Sequence, residues 1–108
     1  MNVVEQNINS ITELCQLHKV DRLFVFGSIL TDRFREKSDI DFLVKFGNSI
    51  SLYHYFDNYM EFKESLEKLL QRQVDLVEEQ TVKNPILKKL IDRNKKLLYG
   101  RTDRKVAA

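Results

Sequence analysis

The spacing of apolar residues along the chain predicts helices that alternate with short strands. Apolar residues recur at steps of three and four between Val4 and His18, which predicts one helix over residues 3–18. A second stripe of this kind predicts a helix over residues 57–71. Compact or alternating apolar runs predict three strands, at residues 23–26, 39–46 and 74–78.

Three further segments complete this pattern. Asn84 and Pro85 are typical of a helix cap and first turn. We expect the buried stripe of that helix to consist of Ile86, Leu87, Leu90 and Ile91. Residues 50–56 either begin the 57–71 helix or form an aromatic loop, and residues 96–99 form either a last helical turn or a short edge strand.

The order of these elements predicts the fold class. The order is that of an α/β (α+β) sandwich: helix, strand, turn, strand, helix, strand and helix, with room for one more strand. We expect a small mixed sheet of three to four strands with helices packed on it. Residues 1–100 are predicted to form one domain, and residues 101–108 a polar, frayed tail.

Composition excludes several classes of protein. A single cysteine, Cys15, excludes a disulfide framework and a cysteine-based zinc cluster, and its place in the first stripe predicts a small core residue. No apolar run approaches the ~20 residues of a membrane helix, and the first residues lack the pattern of a signal peptide. We therefore expect a cytoplasmic protein without a membrane partner.

Charge is unevenly distributed although the net charge is only +2. Residues 1–80 hold 9 basic and 14 acidic residues, a net charge of −5, and residues 81–108 hold 9 basic and 2 acidic residues, a net charge of +7. A basic segment attracts nucleic acid, nucleotide phosphates or an acidic protein, and a solvated helix face has the same composition. The charge pattern therefore leaves nucleic-acid binding open.

The two histidines do not have the spacing of metal ligands. We expect a capping or surface role for His18, near the C-terminus of the first helix, where positive charge is favourable. His54 is expected at the surface or in an interface. It lies within an aromatic patch that we define as Tyr53, Tyr55, Phe56 and Tyr59.

Gly27 and Ser28 are candidate ligands of a nucleotide phosphate. They close the first strand and open a helical turn predicted over residues 28–34. Glycine allows the backbone to approach a phosphate closely, and the first N–H groups of a helix attract an anion. The serine hydroxyl can donate a hydrogen bond to a phosphate oxygen.

Three aspartates are candidate metal ligands. Asp39 and Asp41 alternate along the second strand, so they project from one face about 6.5–7 Å apart along the chain. Like charges at this spacing favour a cation between them, and hard oxygen ligands favour Mg²⁺ or Mn²⁺. If the third strand lies beside the second, Asp75 completes a set that can hold two ions for phosphoryl transfer, and it is also the candidate general base.

The candidate residues form one motif: Gly-Ser, a spacer of ten residues, Asp-Ile-Asp and a distal Asp. This motif resembles that of the DNA polymerase β-like nucleotidyltransferase superfamily. The short chain is similar to the minimal nucleotidyltransferase branch, including antitoxin-type partners of HEPN proteins. The resemblance runs from about Leu14 to Tyr99. It implies the polymerase β-like nucleotidyltransferase fold.

The resemblance also implies an activity. Gly27 and Ser28 would bind the triphosphate, and two Mg²⁺ ions would be ligated by Asp39, Asp41 and Asp75. A hydroxyl would attack the α-phosphate of ATP or another NTP and release pyrophosphate. For the minimal branch, the implied acceptor is a tyrosine of a HEPN-type toxin, and this chain would be the antitoxin.

The chain departs from the family pattern after Ser28. Many relatives carry a basic residue in the stretch that here reads Ile29–Asp32, and Arg33, Arg35 or Lys37 are candidate replacements. One alternative function is a non-catalytic binding module that covers a partner's active site with the aromatic patch. Another is an enzyme acting on an RNA end or a small molecule. Because so small a domain leaves half of the cleft without walls, we expect a homo- or hetero-oligomer.

Overall fold

The computed structural model describes residues 2–31, 33–35 and 38–100. The helices of this part of the chain are α1 (Val3–Gln6), α2 (Ile8–Leu17), α3 (Leu52–Leu70) and α4 (Pro85–Asn94). Its strands are β1 (Val20–Phe26), β2 (Ile40–Phe46), β3 (Val74–Glu78) and β4 (Lys96–Tyr99). Short 3₁₀ turns follow β1 and β3, at Gly27–Leu30 and Glu79–Thr81. The predicted tail over residues 101–108 lies outside the described residues.

The strands form one mixed sheet in the order β3-β2-β1-β4. β1 pairs antiparallel with β2 and with β4, and β2 pairs parallel with β3. This arrangement confirms the predicted α/β class and the small mixed sheet. The parallel pairing also places the beginning of β2 beside the beginning of β3, which brings distant parts of the sequence to one edge.

The two faces of the sheet are covered unequally. α2 and α3 pack on one face and bury the main core, whose strand residues include Leu23, Val25, Ile40, Phe42 and Val44. The other face carries a smaller core formed by Phe24, Leu43 and Ile91, the last of which belongs to α4. Because successive strand residues point to opposite faces, Asp41 lies on the α4 side of the sheet. This side is the more open one.

The predicted helix over residues 3–18 is two helices. α1 ends and α2 begins around Asn7, whose φ of −113° and ψ of 20° are not helical. The Asn7 side-chain amide donates to the carbonyl of Val3 at 2.8 Å, a local hydrogen bond that competes with a continuous helix. The apolar stripe hides this break because Val4 and Ile11 are buried on the same side.

Several predicted boundaries change. β1 begins at Val20, three residues before the predicted start. Residues 52–56 belong to α3. Of the two alternatives for the aromatic segment, a helix and a loop, the helix is therefore correct. Residues 96–99 form the edge strand β4. In the described part of the chain, no helix combines the length and the apolar character that a membrane span requires.

One expected role agrees with the structure and one burial prediction is wrong. His18 is the C-cap residue of α2, the first of the two roles expected for it, and its side chain is buried at 6% exposure against Phe62 because α3 crosses the end of α2. In α4 only Ile91 is buried, and the exposures of the other three stripe residues are 73% for Ile86, 49% for Leu87 and 52% for Leu90. α4 is the only described helix packed on its face of the sheet, so much of its apolar surface has no neighbour.

Candidate active site

Asp41 and Asp75 are paired neighbours across the parallel β2–β3 ladder. Asp41 also pairs with Phe26, the last residue of β1, in the antiparallel ladder on its other side. Asp39 directly precedes β2. Asp41 is half-buried, whereas Asp39 and Asp75 are exposed. The fold therefore brings the three aspartates singled out in the sequence to one corner of the sheet.

The three carboxylates interact electrostatically. Burial is the largest cause that raises the pKa of Asp41 above its ordinary value, and the negative charges of Asp75 and Asp39 raise it further. Asp75 is the ladder partner of Asp41, and Asp39 lies two residues before Asp41 in the chain. The corner of the sheet is therefore a concentrated negative site, which attracts a cation.

Gly27 follows β1 and lies directly against the Asp41 side chain. Its φ is +83°, in the region that side chains rarely adopt. A Cβ atom at this position would overlap Oδ2 of Asp41 and lie 3.2 Å from its Cγ. The structure therefore requires a glycine at position 27 whether or not a phosphate binds there, since only a residue without a side chain leaves room for this carboxylate.

Ser28 lies in a turn that is shorter than predicted. The helical segment is the 3₁₀ turn Gly27–Leu30 instead of residues 28–34. The Ser28 carbonyl accepts hydrogen bonds from the backbone N–H and the hydroxyl of Thr31, both at 2.9 Å. Ile29 is buried in the main core and holds the turn against the sheet. This burial is a physical reason for an apolar residue where the sequence departs from the family pattern.

Arg72 holds the loop that precedes β2, a role that the sequence did not reveal. Its Nη1 donates to the carbonyl of Arg35 at 3.2 Å and to that of Ser38 at 3.4 Å, and its guanidinium lies 4.7 Å from the centre of the Phe34 ring. The next residue, Gln73, accepts a hydrogen bond from the N–H of Ile40 at 3.1 Å. The backbone on both sides of Asp39 is therefore tied to the segment before β3.

The structure describes two of the three basic residues considered as replacements. Arg33 and Arg35 are exposed, and Arg35 makes local contacts: its N–H donates to the Ser38 hydroxyl and its guanidinium donates to the Phe34 carbonyl. Asp32 and Lys37 lie outside the described residues. In the sequence Arg72 resembles any solvated residue after a helix, because its loop partners are more than thirty positions away.

The donor chemistry of the site fits a hard divalent cation. All three candidate ligands are carboxylates, and their mutual repulsion is the kind that a bound cation relieves. Among the described residues, no three His, Cys, Asp or Glu side chains are already arranged around a common metal position. The aspartates match a magnesium site by type and by strand position, and their side chains would have to turn toward a shared ion.

A profile of the polymerase beta nucleotidyltransferase family matches residues 9–104. The chain belongs to this family. It is therefore an enzyme of the nucleotidyltransferase class, and its four-stranded mixed sheet has the fold expected from the resemblance. The matched range includes Gly27, Ser28 and the three aspartates.

Relatives of this nucleotidyltransferase agree with the family match. A candidate protein adenylyltransferase of Methanocaldococcus jannaschii is 38% identical over 82 residues, which cover 76% of this chain and 78% of that protein. A solved candidate minimal nucleotidyltransferase superposes with a TM-score of 0.70 at 31% identity, covering 89% of this chain and 95% of the other. A crystallised toxin–antitoxin with AMP-PNP has a TM-score of 0.66 at 25% identity, covering 88% and 74%.

The aromatic patch of this nucleotidyltransferase divides into two pairs. Tyr53 and Phe56 are exposed at 87% and 69%. Tyr55 and Tyr59 instead pack against the main core, and their hydroxyls donate to the Glu78 carboxylate and the Leu76 carbonyl. Leu52, one residue before Tyr53, is 93% exposed. The exposed large apolar side chains of α3 are therefore those of Leu52, Tyr53 and Phe56, which we call the α3 patch.

Proposed function

We propose that this nucleotidyltransferase transfers AMP from ATP to a tyrosine hydroxyl of a HEPN-type toxin in the cytoplasm and thereby acts as an antitoxin. The observation that carries the proposal is the pairing of Asp41 with Asp75, beside a glycine that makes room for Asp41. The relative described as a candidate protein adenylyltransferase supports AMP as the transferred group. The superposed toxin–antitoxin with AMP-PNP supports a nucleotide substrate and a toxin partner.

Gly27 and Ser28 would hold the triphosphate. They lie in the turn after β1, next to the Asp41 carboxylate, so phosphates bound there would be adjacent to the three aspartates. The Ser28 hydroxyl is the donor for a phosphate oxygen, and the backbone of the turn is accessible where Gly27 lacks a side chain.

Asp39, Asp41 and Asp75 would hold two Mg²⁺ ions, with Mn²⁺ as a chemically similar substitute. Bound there, the metal would offset the negative charge of the phosphates and of the carboxylates themselves. Arg72 keeps the backbone around Asp39 in place, and Gly27 preserves the position of Asp41. The protein's contribution is thus to maintain three carboxylates in one small region.

The reaction forms one bond and breaks one. The acceptor hydroxyl oxygen attacks the α-phosphorus, and the bond from that phosphorus to the oxygen bridging to the β-phosphorus breaks. Pyrophosphate leaves with that oxygen, and Asp75 accepts the hydroxyl proton as general base. Asp75 suits this role because it is exposed at the edge strand β3, where an acceptor side chain can approach.

A non-catalytic binding module is the second candidate function, and the α3 patch favours it. Leu52, Tyr53 and Phe56 are large apolar side chains exposed close together on one helix, as in the centre of a protein interface. A protein that only covers a partner's active site needs such a surface and does not need the aspartates. Partner inhibition that survives an Asp39→Asn, Asp41→Asn double substitution would support this function.

A transfer assay tests the main proposal. The purified chain is incubated with Mg²⁺, the HEPN-type toxin tested as its partner, and ATP labelled at the α-phosphate. We expect label on the partner and no label with Asp41→Asn. ATP labelled at the γ-phosphate should give none, since pyrophosphate leaves. Label from γ-ATP, or an Asp41→Asn variant as active as the original protein, would overturn the proposal.

The same assay with Tyr→Phe variants of the partner identifies the acceptor. Loss of label from one such variant supports a tyrosine hydroxyl. Label that resists every tyrosine substitution, or that is found on RNA, contradicts the proposed acceptor. Assays with GTP, CTP and UTP in place of ATP test the proposed base.

A further inference from the structure

A cavity of about 270 Å³ lies between the open face of the sheet and α4. Its apolar walls include Phe24 of β1, Leu43 of β2 and Ile91 of α4. Its volume is just below the range of typical small-molecule sites, about 300–1,000 Å³. A cavity of this size suits a single ring system with an attached sugar and is too small for a whole nucleoside triphosphate.

The cavity is next to the carboxylate site along the strands. In the β1–β2 ladder, Asp41 pairs with Phe26, and the next pair on the same face is Leu43 with Phe24. One such step along a strand is about 6.5 Å. α4 also contacts the Gly27–Leu30 turn, so the helix that roofs the cavity borders the candidate phosphate site. A single ligand can therefore occupy both places.

The polar walls of the cavity are fixed by an ion pair. Arg22 donates to Glu79 through Nε at 2.7 Å and through Nη2 at 2.8 Å, and the two side chains are only 12% and 20% exposed. A bidentate pair of this kind is rigid. A carboxylate has about four lone-pair positions, so Glu79 can still accept a hydrogen bond from an amino group of a base.

The α4 side of the cavity is positively charged. Lys88 and Lys95 line the cavity about two helical turns apart. The Nζ atom of Lys95 lies 4.3 Å from the centre of the Phe24 ring. Asp92 offsets part of this charge through its 2.9 Å contact with Lys95. Cations at the wall and aromatic and aliphatic side chains inside favour a flat ring carried by an anionic molecule.

We propose that this cavity holds the base and ribose of the nucleoside triphosphate whose α-phosphate lies at the three aspartates. The inference rests on the proposed function and extends it. The motifs in the sequence assign residues to the phosphates only, and the cavity adds residues for the base and the ribose. Phe24, Leu43 and Ile91 contact the base, Glu79 accepts from its amino group, and Lys88 borders the entrance. The phosphates remain at Gly27 and Ser28.

Two neighbouring lysines of α4 provide a matched test. Lys88→Trp places a large side chain at the cavity, whereas Lys89→Trp makes the same change in size and charge on an exposed residue that does not line it. Both variants are made in the full chain. Binding of ATP and of inorganic tripolyphosphate is measured by calorimetry in the presence of Mg²⁺, with circular dichroism to verify folding.

We expect Lys88→Trp to weaken ATP binding about tenfold or more, as for a blocked apolar pocket, and to leave tripolyphosphate binding unchanged. Lys89→Trp should bind both like the original protein. Equal ATP binding by the two variants would overturn the proposal while leaving the proposed function intact. Equal weakening of both ligands by Lys88→Trp would overturn it too, because it would assign the cavity to phosphate. If the original protein binds neither ligand, the proposed function fails as well.

An independent variant guards against misfolding of Lys88→Trp. Val82, at the edge of the smaller core, also lines the cavity, and Val82→Phe narrows it from another side. We expect the same selective loss of ATP binding. A Val82→Phe variant that is folded and binds ATP like the original protein would contradict the proposal.

Discussion

The carboxylate of Asp41 occupies the space that a side chain at Gly27 would need. A Cβ atom on Gly27 would overlap Oδ2 of Asp41, and the +83° φ of Gly27 is itself strained for other residues. Gly27 of the proposed phosphate-binding turn and Asp41 of the proposed metal-binding set therefore depend on each other. Changing either one is expected to affect the whole site.

Gly27→Ala should both destabilise the domain and abolish transfer. The left-handed backbone costs an alanine about 1–2 kcal/mol, and the new methyl group displaces the Asp41 carboxylate. Chemical denaturation measures the first effect and the labelled-ATP assay the second. Gly47→Ala is the matched control, because its Cβ would lie 3.3 Å from the Lys19 carbonyl oxygen, with no catalytic group nearby. An active Gly27→Ala variant would contradict this interpretation.

Asp41→Asn should lose activity while gaining stability. Burial and the charges of Asp75 and Asp39 disfavour the ionised Asp41 side chain and so raise its pKa, and a neutral amide of the same shape removes this penalty. We expect a higher Tm in buffer containing a chelator, together with a transfer rate lowered about 100-fold or more. A lower Tm would show that Asp41 stabilises the fold instead of straining it.

The stability of the domain should depend on pH through Glu78. Burial raises the pKa of Glu78 above its ordinary value, even though Tyr55 donates a hydrogen bond to it. The folded state then holds the proton more tightly than the unfolded state does. The resulting stabilisation is fully present below the unfolded pKa of about 4.3 and is lost as pH rises through the higher folded pKa.

Glu78→Gln tests this dependence. Urea denaturation from pH 4 to 7 should show a smaller loss of unfolding free energy for the variant than for the original protein across that interval. Glu64→Gln, an exposed position of α3, is the control and should leave the slope as it is. Identical slopes for Glu78→Gln and the original protein would rule out this role of Glu78.

Cys15 should react with thiol reagents only after unfolding. Its side chain is 0% exposed, and burial raises the pKa of the thiol to about 12. The thiolate, which is the reactive form, is roughly a thousandfold scarcer than for a free cysteine. The rate of labelling by a disulfide reagent should therefore follow the unfolding equilibrium as urea is added. The buried position agrees with the core role predicted from the sequence. Rapid labelling in native buffer would contradict it.

The α3 patch should be required for the partner complex and dispensable for nucleotide binding. Phe56→Asp introduces a charge into this exposed apolar surface, and Leu17→Asp does so on α2 at nearly the same exposure, 70% against 69%. We expect Phe56→Asp to abolish co-purification with the proposed HEPN-type partner and Leu17→Asp to preserve it. Both should bind ATP normally. Loss of the complex with Leu17→Asp alone would place the interface elsewhere.

Local signals in the sequence were sufficient for the elements and for the candidate residues. The alternation along β2 placed Ile40 and Phe42 in the core and Asp41 on the other face, as the structure has them. Asn84 and Pro85 marked the start of α4 correctly, because a cap depends only on nearby backbone groups. The Gly-Ser and Asp-Ile-Asp motifs led to the family, which the profile match confirms. The roles of the individual residues stay predictions.

Tertiary structure decided what depends on distant partners. The parallel register that brings Asp75 beside Asp41 arises from pairing of strands separated by the whole of α3. The burial of His18, the exposure of Ile86 and the contacts of Arg72 all follow from which element packs where. Periodicity identifies an apolar face but not whether a neighbour covers it. The sequence by itself therefore determined the elements, the family and the candidate chemistry, whereas only packing determined the shape of the site and of the cavity beside it.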